Sequence, residues 1–553
     1  MSDGPRPTDL ERAAPLLLAL LGAVLARLVG RFALGDVPHV MDEIAYTLQA
    51  RTFASGHLTE AVHLPRAAFA MWFVDDRVRT FSVFPPGWPA VLSIGYLVGL
   101  ASWVNPLLHG ATVLLGARCA RLLAGTRAGI LAAALYSLSP QAILLAASFM
   151  SHSLVAFAAA LVLAVGLHLI AKEGPPPRAA SLALAGGAVG LTAATRPLCG
   201  LVLLVLGASF ALVALRRRRL RVADLVAFGV PLLVLTLLLG LYNAHLTGSM
   251  LRFPQNAFFD EHAGPVDLPL FAYRPGCNQL GFGPGHGCEA GLANGSHSLA
   301  NALSNLGDNL TAWFWLAGGG QLAFALALFA VARTTRETRA AQLVTFSVVP
   351  VTIVLYGLYW YAGTAYGARF YHVALPPLLV LAALGLERAA RFRRPLFLAL
   401  VACVLLWNAV IGVRAAKEVA QGYWGTDARF AKLAAGWKDD RALVLVAFAP
   451  GDLRSHHDVT TFMRDVVWLK NIRALAALAA NQPDLSGPVV FARYHPGLMA
   501  ELRARFPDRR LHLYVLAADA PDRLVPYETS GLPALEEGAR APVDNFDGYV
   551  IPQ

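Results

Sequence analysis

VMDEIAYTLQARTFASGHL, residues 40 to 58, carries two adjacent carboxylates, Asp42 and Glu43, just after the first long apolar run of the chain. A helix beginning at Asp42 aligns Ile44, Ala45, Leu48 and Thr52 along one stripe, sets Tyr46, Gln49 and Phe53 beside it, and stops at Gly56. Such a helix is expected to lie flat in a membrane interface. The stretch then reads as the start of an active site at a membrane surface, and the rest of the chain as the scaffold that holds it there.

Composition agrees with that reading. The 553 residues are 56% hydrophobic and 15% charged, with a mean hydropathy of +0.53, which is too apolar for a large soluble enzyme. The formal charge of +11 does not point to nucleic acid, because the basic residues fall in short clusters between apolar runs and not in one basic and aromatic patch. No A-x-A cleavage site follows the first apolar run, so it is expected to remain as an anchor.

Apolar runs near residues 13–34, 105–123, 128–147, 153–171, 180–195, 197–215, 223–242, 311–332, 341–360, 373–387 and 396–413 approach the roughly 20 residues a spanning helix needs. A further run, FPPGWPAVLSIGYLVGLA (84–101), decides the orientation of everything after it. If it does not cross, alternate connections collect seventeen basic residues on one side: Arg118, Arg121 and Arg127; Lys172 and Arg178; Arg216 to Arg219 with Arg221; Arg333, Arg336 and Arg339; and Arg388, Arg391, Arg393 and Arg394. The opposite connections hold few, so the basic side is cytoplasmic and 84–101 is a helix in the outer leaflet or re-entrant. The expectation is a mainly α, polytopic bundle of about eleven spans over residues 1–413, with the N-terminus inside. Asp42, Glu43 and the loops 35–104 and 243–310 are then external.

Beyond residue 413 the composition becomes that of a soluble protein. Strand-like runs at 442–448, 488–494 and 511–517 alternate with helical patterns at 460–480 and 496–506, which predicts a small external α/β domain over 414–553.

Several external residues have the chemistry of group transfer. A carboxylate at a partly desolvated interface can take the proton of an acceptor hydroxyl, a role open to Asp42; equally, Asp42 and Glu43 suit the cap and N-terminal dipole of their helix. In YWYAGTAYGARFYHVALPP (359–377), Arg369 lies among Tyr361, Tyr366, Tyr371 and His372, a cradle for a phosphate leaving group or an interfacial anchor. Arg196, in the turn TRPL, is a second phosphate candidate. His152, in SFMSHSL, could orient an acceptor, bind a metal, or simply open a span. Asp75 and Asp76 suit a metal or donor site, or a solvated turn before TFSVF. Cys277 and Cys288, in GCNQLGFGPGHGCEAG, are expected to pair in an oxidising compartment. A zinc site built from them with His286 and His297 fits no strong spacing template. Cys119, Cys199 and Cys403 read as packing residues within spans.

Taken together, the DE-x-x-Y of Asp42, Glu43 and Tyr46, FPPGWP at 84–89, the external turn at 148–154 and G-A-R-F-Y...LPP at 367–377 resemble bacterial membrane glycosyltransferases of the GT-C fold. The pattern is similar to protein O-mannosyltransferases and to the transferases that add aminoarabinose to lipid A, loosely over residues 10–415. The resemblance implies an inverting transfer of a sugar from a polyprenyl-phosphate donor to an external acceptor. It makes Asp42 the base or acceptor-orienting carboxylate, Glu43 its support and Arg369 the contact to the donor phosphate. The family often has an Asp where this chain has His152, which leaves the divalent metal and the acceptor contact open, and the C-terminal tail is not the mannosyltransferases' usual domain. The expected partners are the lipid-linked donor, membrane lipid and an envelope glycolipid, polysaccharide or protein. A transporter or flippase of a lipid-linked substrate, and an envelope assembly scaffold, are the alternatives; a transporter would set its ionisable groups near mid-membrane in broken helices.

Overall fold

The structure is a computed structural model that describes residues 8–171, 177–263, 299–357, 359, 363–438, 441–448, 472–516 and 522–530. Every apolar run singled out above coincides with a helix or a bent helix pair. Among the described residues, eight helices are long and apolar enough to cross a membrane, or up to ten if each of two bent pairs is one span. The expected count of eleven is therefore reached only by including Ala179–Ala193, which at 15 residues is short for a crossing. The pair Thr126–Ser137 and Pro140–Ala147 bends by 55°, where Pro140 opens a new helix behind the Ser139 cap. The run read as one span over 311–332 is broken by 92°, because Gly318, Gly319 and Gly320 all take positive φ and carry the chain out of the helical region.

The stretch at 84–101 forms the helix Gly87–Leu97, whose 11 residues rise only about 16 Å, too short to cross. Its start is tied to the site end of the bundle: Gly87 N–H donates to Ala194 O at 2.7 Å, and Trp88 Nε1 to Phe149 O at 2.8 Å.

Burial sorts the spans into centre and rim. His152–Leu169 and the segment Arg369–Phe392 are 83% and 89% buried along their apolar windows, whereas Val222–Thr247 and the segment Arg394–Gly425 are 11% buried and present Leu and Val outward. The two central helices are those that begin at His152 and just after Arg369, so the candidate residues stand on the most constrained part of the scaffold.

Behind the bundle, β3 (Ala442–Phe448), β4 (Val489–Arg493), β5 (Arg510–Leu516) and β6 (Arg523–Pro526) form one sheet in the order β4-β3-β5-β6. The first three pair in parallel and β6 is an antiparallel edge. The strand β6 was not anticipated, since a four-residue run ending in Pro526 has almost no strand signature. One face of the sheet packs Leu443, Leu445, Val490 and Ala492 against Ala67, Ala68 and Phe69 of the first loop. The other face joins Val444, Val446 and Phe491 to the cluster that holds Ile44, Ala45 and Tyr46.

The helix carrying Asp42 spans Met41–Ala54, with Gly56 at φ +87° just beyond its end. It does not lie in the lipid interface as expected. Glu43, Ile44, Ala45, Tyr46, Thr47, Gln49, Ala50 and Thr52 are all buried, because bundle and C-terminal sheet enclose the helix between them. Arg51 Nη1 donates to Ala479 O at 3.0 Å, and His63 Nε2 lies 2.7 Å from Pro483 O, so the first loop is stitched to the C-terminal unit as well.

Candidate active site

Glu43 organises the site. Its Oε2 accepts the backbone N–H of His39 at 2.7 Å and of Val40 at 3.1 Å, together with the Tyr366 hydroxyl at 3.1 Å. Its Oε1 accepts the N–H of Phe149 at 2.8 Å. One fully buried carboxylate thus joins three segments far apart in sequence: the entry to the Asp42 helix, the turn before His152 and the turn before Arg369. Burial pushes the Glu43 carboxyl above its usual range against the pull of His39 and the backbone donors. The Tyr366 hydroxyl, assigned to the donor phosphate on sequence, is instead given to Glu43. That burial and the neighbouring Glu43 charge push its phenol well above the ordinary value.

Tyr366 itself has φ +56°, a conformation that costs a non-glycine residue on the order of 1–3 kcal/mol. The Tyr423 hydroxyl holds it there by accepting the Tyr366 N–H at 2.7 Å. Gly367, at φ +89°, completes the turn and delivers Arg369 to the start of a 3-10 helix, Arg369–Ala374.

That turn brings Arg369 onto Asp42, with Arg369 Nη1 3.3 Å from Asp42 Oδ2. Residues 327 positions apart thereby become one ion pair. The Arg369 side chain is 6% exposed and that of Asp42 16%, so the carboxylate lies on the open side. Arg196 joins them through Phe370: its guanidinium lies 4.8 Å from the ring centroid and that of Arg369 5.2 Å. Tyr356 stacks on the same ring at 5.1 Å and His152 at 6.5 Å. Tyr46, one turn beyond Asp42, feels Asp42, Arg196 and Arg369 together, and burial first and the Asp42 charge second push its phenol up to about 12.

The polar inventory is incomplete at this point. Arg369 Nε, Arg196 Nε and both ring nitrogens of His152 are buried without a hydrogen-bond partner among the described residues. Buried polar groups are almost always paired, so such a cluster is complementary to the polar atoms of a ligand. Among the described residues Arg196 also has no carboxylate within ion-pair distance. Two guanidiniums and one carboxylate leave the cluster net positive, as an anionic group requires.

Other candidates lie elsewhere. His372 points to the bundle interior, its Nε2 3.4 Å from the Tyr136 hydroxyl, and Tyr136 stacks on His109 at 5.2 Å. Asp75 and Asp76 are neither solvated nor free for a metal: Asp75 pairs with Arg77, and Asp76 with Arg66 at 2.9 Å. Asp75 ends β1 (Val74–Asp75) and Asp76 opens the turn to β2 (Phe81–Ser82), where burial moves Asp76 above its usual range. No group of three His, Cys, Asp or Glu side chains arranged to hold a metal occurs among the described residues. Cys277, Cys288, His286 and His297 lie outside the described residues. Cys119 and Cys199 are buried as expected, but Cys403 is exposed on the outward face of its span. Phe370, the ring on which the cluster converges, carries no signal of that role in the sequence, since nothing local marks an aromatic residue next to an arginine as a platform.

No protein-family model matches the chain, and no curated protein matches it by sequence. Among solved structures, the chain is similar to ArnT from Cupriavidus metallidurans bound to undecaprenyl phosphate: 16% identity over 91% of this chain and 93% of that one, with a TM-score of 0.52. The apo state of the same ArnT gives 14% identity over 92% and 96%, also with a TM-score of 0.52. The polytopic helical scaffold therefore shares the GT-C fold of ArnT.

Proposed function

We propose that the chain is an integral-membrane glycosyltransferase that moves a sugar from a polyprenyl-phosphate donor to a cell-envelope glycolipid, polysaccharide or protein, with inversion, on the external face. In this reading residues 1–413 are the catalytic membrane part and 414–553 an external α/β domain. The observation that carries it is the convergence of Asp42, Arg369 and Arg196 on one part-buried, net positive cluster with unpaired donors at the mouth of the bundle. The ArnT structure that contains undecaprenyl phosphate supports the choice of a lipid-linked donor.

The chemistry follows from the two charges. An acceptor hydroxyl oxygen attacks the anomeric carbon and gives its proton to Asp42. The bond from that carbon to the phosphate oxygen breaks, and the electron pair leaves with the polyprenyl phosphate, whose charge Arg369 and Arg196 stabilise. A single displacement inverts the anomeric configuration. A transporter would set its ionisable groups along a path through the bundle, whereas this cluster sits at one mouth.

The test uses the protein in lipid nanodiscs with radiolabelled polyprenyl-phosphate sugars and crude envelope acceptor. Wild type is expected to move label from one donor to acceptor, and Asp42→Asn to lower that rate by roughly 10²- to 10⁴-fold. Equal transfer by both proteins would remove Asp42 from the chemistry.

A further inference from the structure

The residue proposed to take the acceptor's proton and the residue proposed to hold the donor's phosphate form an ion pair with each other. Arg369 Nη1 lies 3.3 Å from Asp42 Oδ2, so neither group is free for its task. A carboxylate oxygen engaged by a guanidinium is a poor acceptor for a proton. A guanidinium turned towards a carboxylate, in turn, offers fewer of its donors to phosphate.

The contacts around the pair favour its opening. Arg369 Nε and Arg196 Nε have no partner among the described residues, so a phosphate that takes over the guanidinium also satisfies donors that Asp42 leaves unpaired. The competition favours phosphate. It offers several oxygens to a planar fork, whereas Asp42 holds one nitrogen through a single long contact. The residue that gives way is also fixed: Asp42 is the more exposed partner, at 16% against 6%, while Arg369 is held over Phe370.

We infer that Asp42 is a donor-sensing residue: it holds Arg369 until the donor phosphate takes the guanidinium over, and only then is its carboxylate free to receive the acceptor's proton. The inference rests on the donor-phosphate reading above and adds an order to it, donor before acceptor. In the transfer step the bond from acceptor oxygen to anomeric carbon forms and the bond from that carbon to phosphate oxygen breaks. The acceptor proton passes to Asp42 and the electron pair to the polyprenyl phosphate. The pair with Arg369 closes again after that lipid has left and Asp42 has lost its proton to water. An empty site therefore has no free base with which to activate water or an acceptor.

The experiment is a binding cycle in nanodiscs with undecaprenyl phosphate as the probe, using wild type, Asp42→Asn, Arg369→Gln and the double variant. Asp42→Ser and Arg369→Met serve where a first choice does not fold. With Arg369 present, Asp42→Asn is expected to tighten binding about tenfold, because the phosphate no longer displaces a carboxylate. With Arg369→Gln in the background, the same change is expected to shift binding by less than about twofold. Equal tightening in both backgrounds would be through-space repulsion and would overturn the handover while leaving the phosphate site intact. Asp42→Asn binding no better than the double variant would overturn the donor-phosphate reading itself.

Discussion

Glu43 and Asp42 are neighbours in sequence with opposite environments, and the difference follows from helix geometry. Successive residues on a helix are turned by about 100°, so Asp42 faces the open cluster while Glu43 faces the buried junction of three segments. Replacing Glu43 by Gln presents an amide N–H₂ to donors that need an acceptor, and is expected to cost about 2–4 kcal/mol. Tyr366→Phe removes one donor only and is expected to cost about 1 kcal/mol. Thermal unfolding in nanodiscs checks both, and a Glu43→Gln protein as stable as wild type would show that the junction does not depend on its charge. The same residue sets a pH dependence. Burial raises the carboxyl in the folded protein above its usual value of 4.5, so the folded state keeps its proton to higher pH than the unfolded chain. Glu43 therefore makes stability fall as pH rises from 4.5 through the raised value, and in Glu43→Gln that part of the fall should vanish. At this scale the sequence marked Asp42, Arg369, Arg196 and His152 by residue type, but not the pairing of Asp42 with Arg369, which needs contact across the whole bundle.

Helix contacts explain why the apolar runs, legible as segments, were not legible as a bundle. Ala179–Ala193 packs on Val222–Thr247 through Gly186 and Gly190, four residues apart on one face. A Cβ at Gly186 would stand 1.8 Å from Phe228 O and one at Gly190 2.9 Å from Leu235 Cβ, so the two backbones approach as closely as glycine allows. One position along, a Cβ at Gly187 would meet only Pro231 Cβ at an ordinary 3.8 Å. Gly186→Leu is expected to lower stability by about 1–3 kcal/mol, and Gly187→Leu by less than about 0.5 kcal/mol. Thermal unfolding of the two variants distinguishes them, and equal effects would rule out a close crossing at Gly186. In sequence both glycines sit in one apolar run, AGGAVG, and nothing local says which faces a partner.

Across the whole molecule, contacts gather the charges at two opposite ends. Arg118 reaches His168 at 3.3 Å, Arg217 donates to Ile170 O, Arg127 and Arg391 flank Glu387, and Arg388 donates to Gln342 at 3.1 Å. These are the connections that the charge count assigns to the cytoplasm, brought together at one end, while Asp42, Arg369 and Arg196 lie at the other. Reporter fusions should accordingly report a cytoplasmic location after Arg219 and an external one after Gly248. The reverse signals would invert the topology and carry the proposed site inside. Composition and run length, which depend only on local chemistry, are enough to determine from the sequence a polytopic helical chain with a soluble-like tail, its basic connections on alternate turns and a short list of candidate polar residues. Tertiary structure alone decided the rest. The run at 311–332 breaks at three glycines, the Asp42 helix is enclosed between bundle and sheet instead of lying in lipid, and Tyr366 turns to Glu43 instead of to a ligand. For the Asp42 helix and for Tyr366 the deciding partner is hundreds of residues away, and helical periodicity records which face of a segment is apolar, not what that face meets.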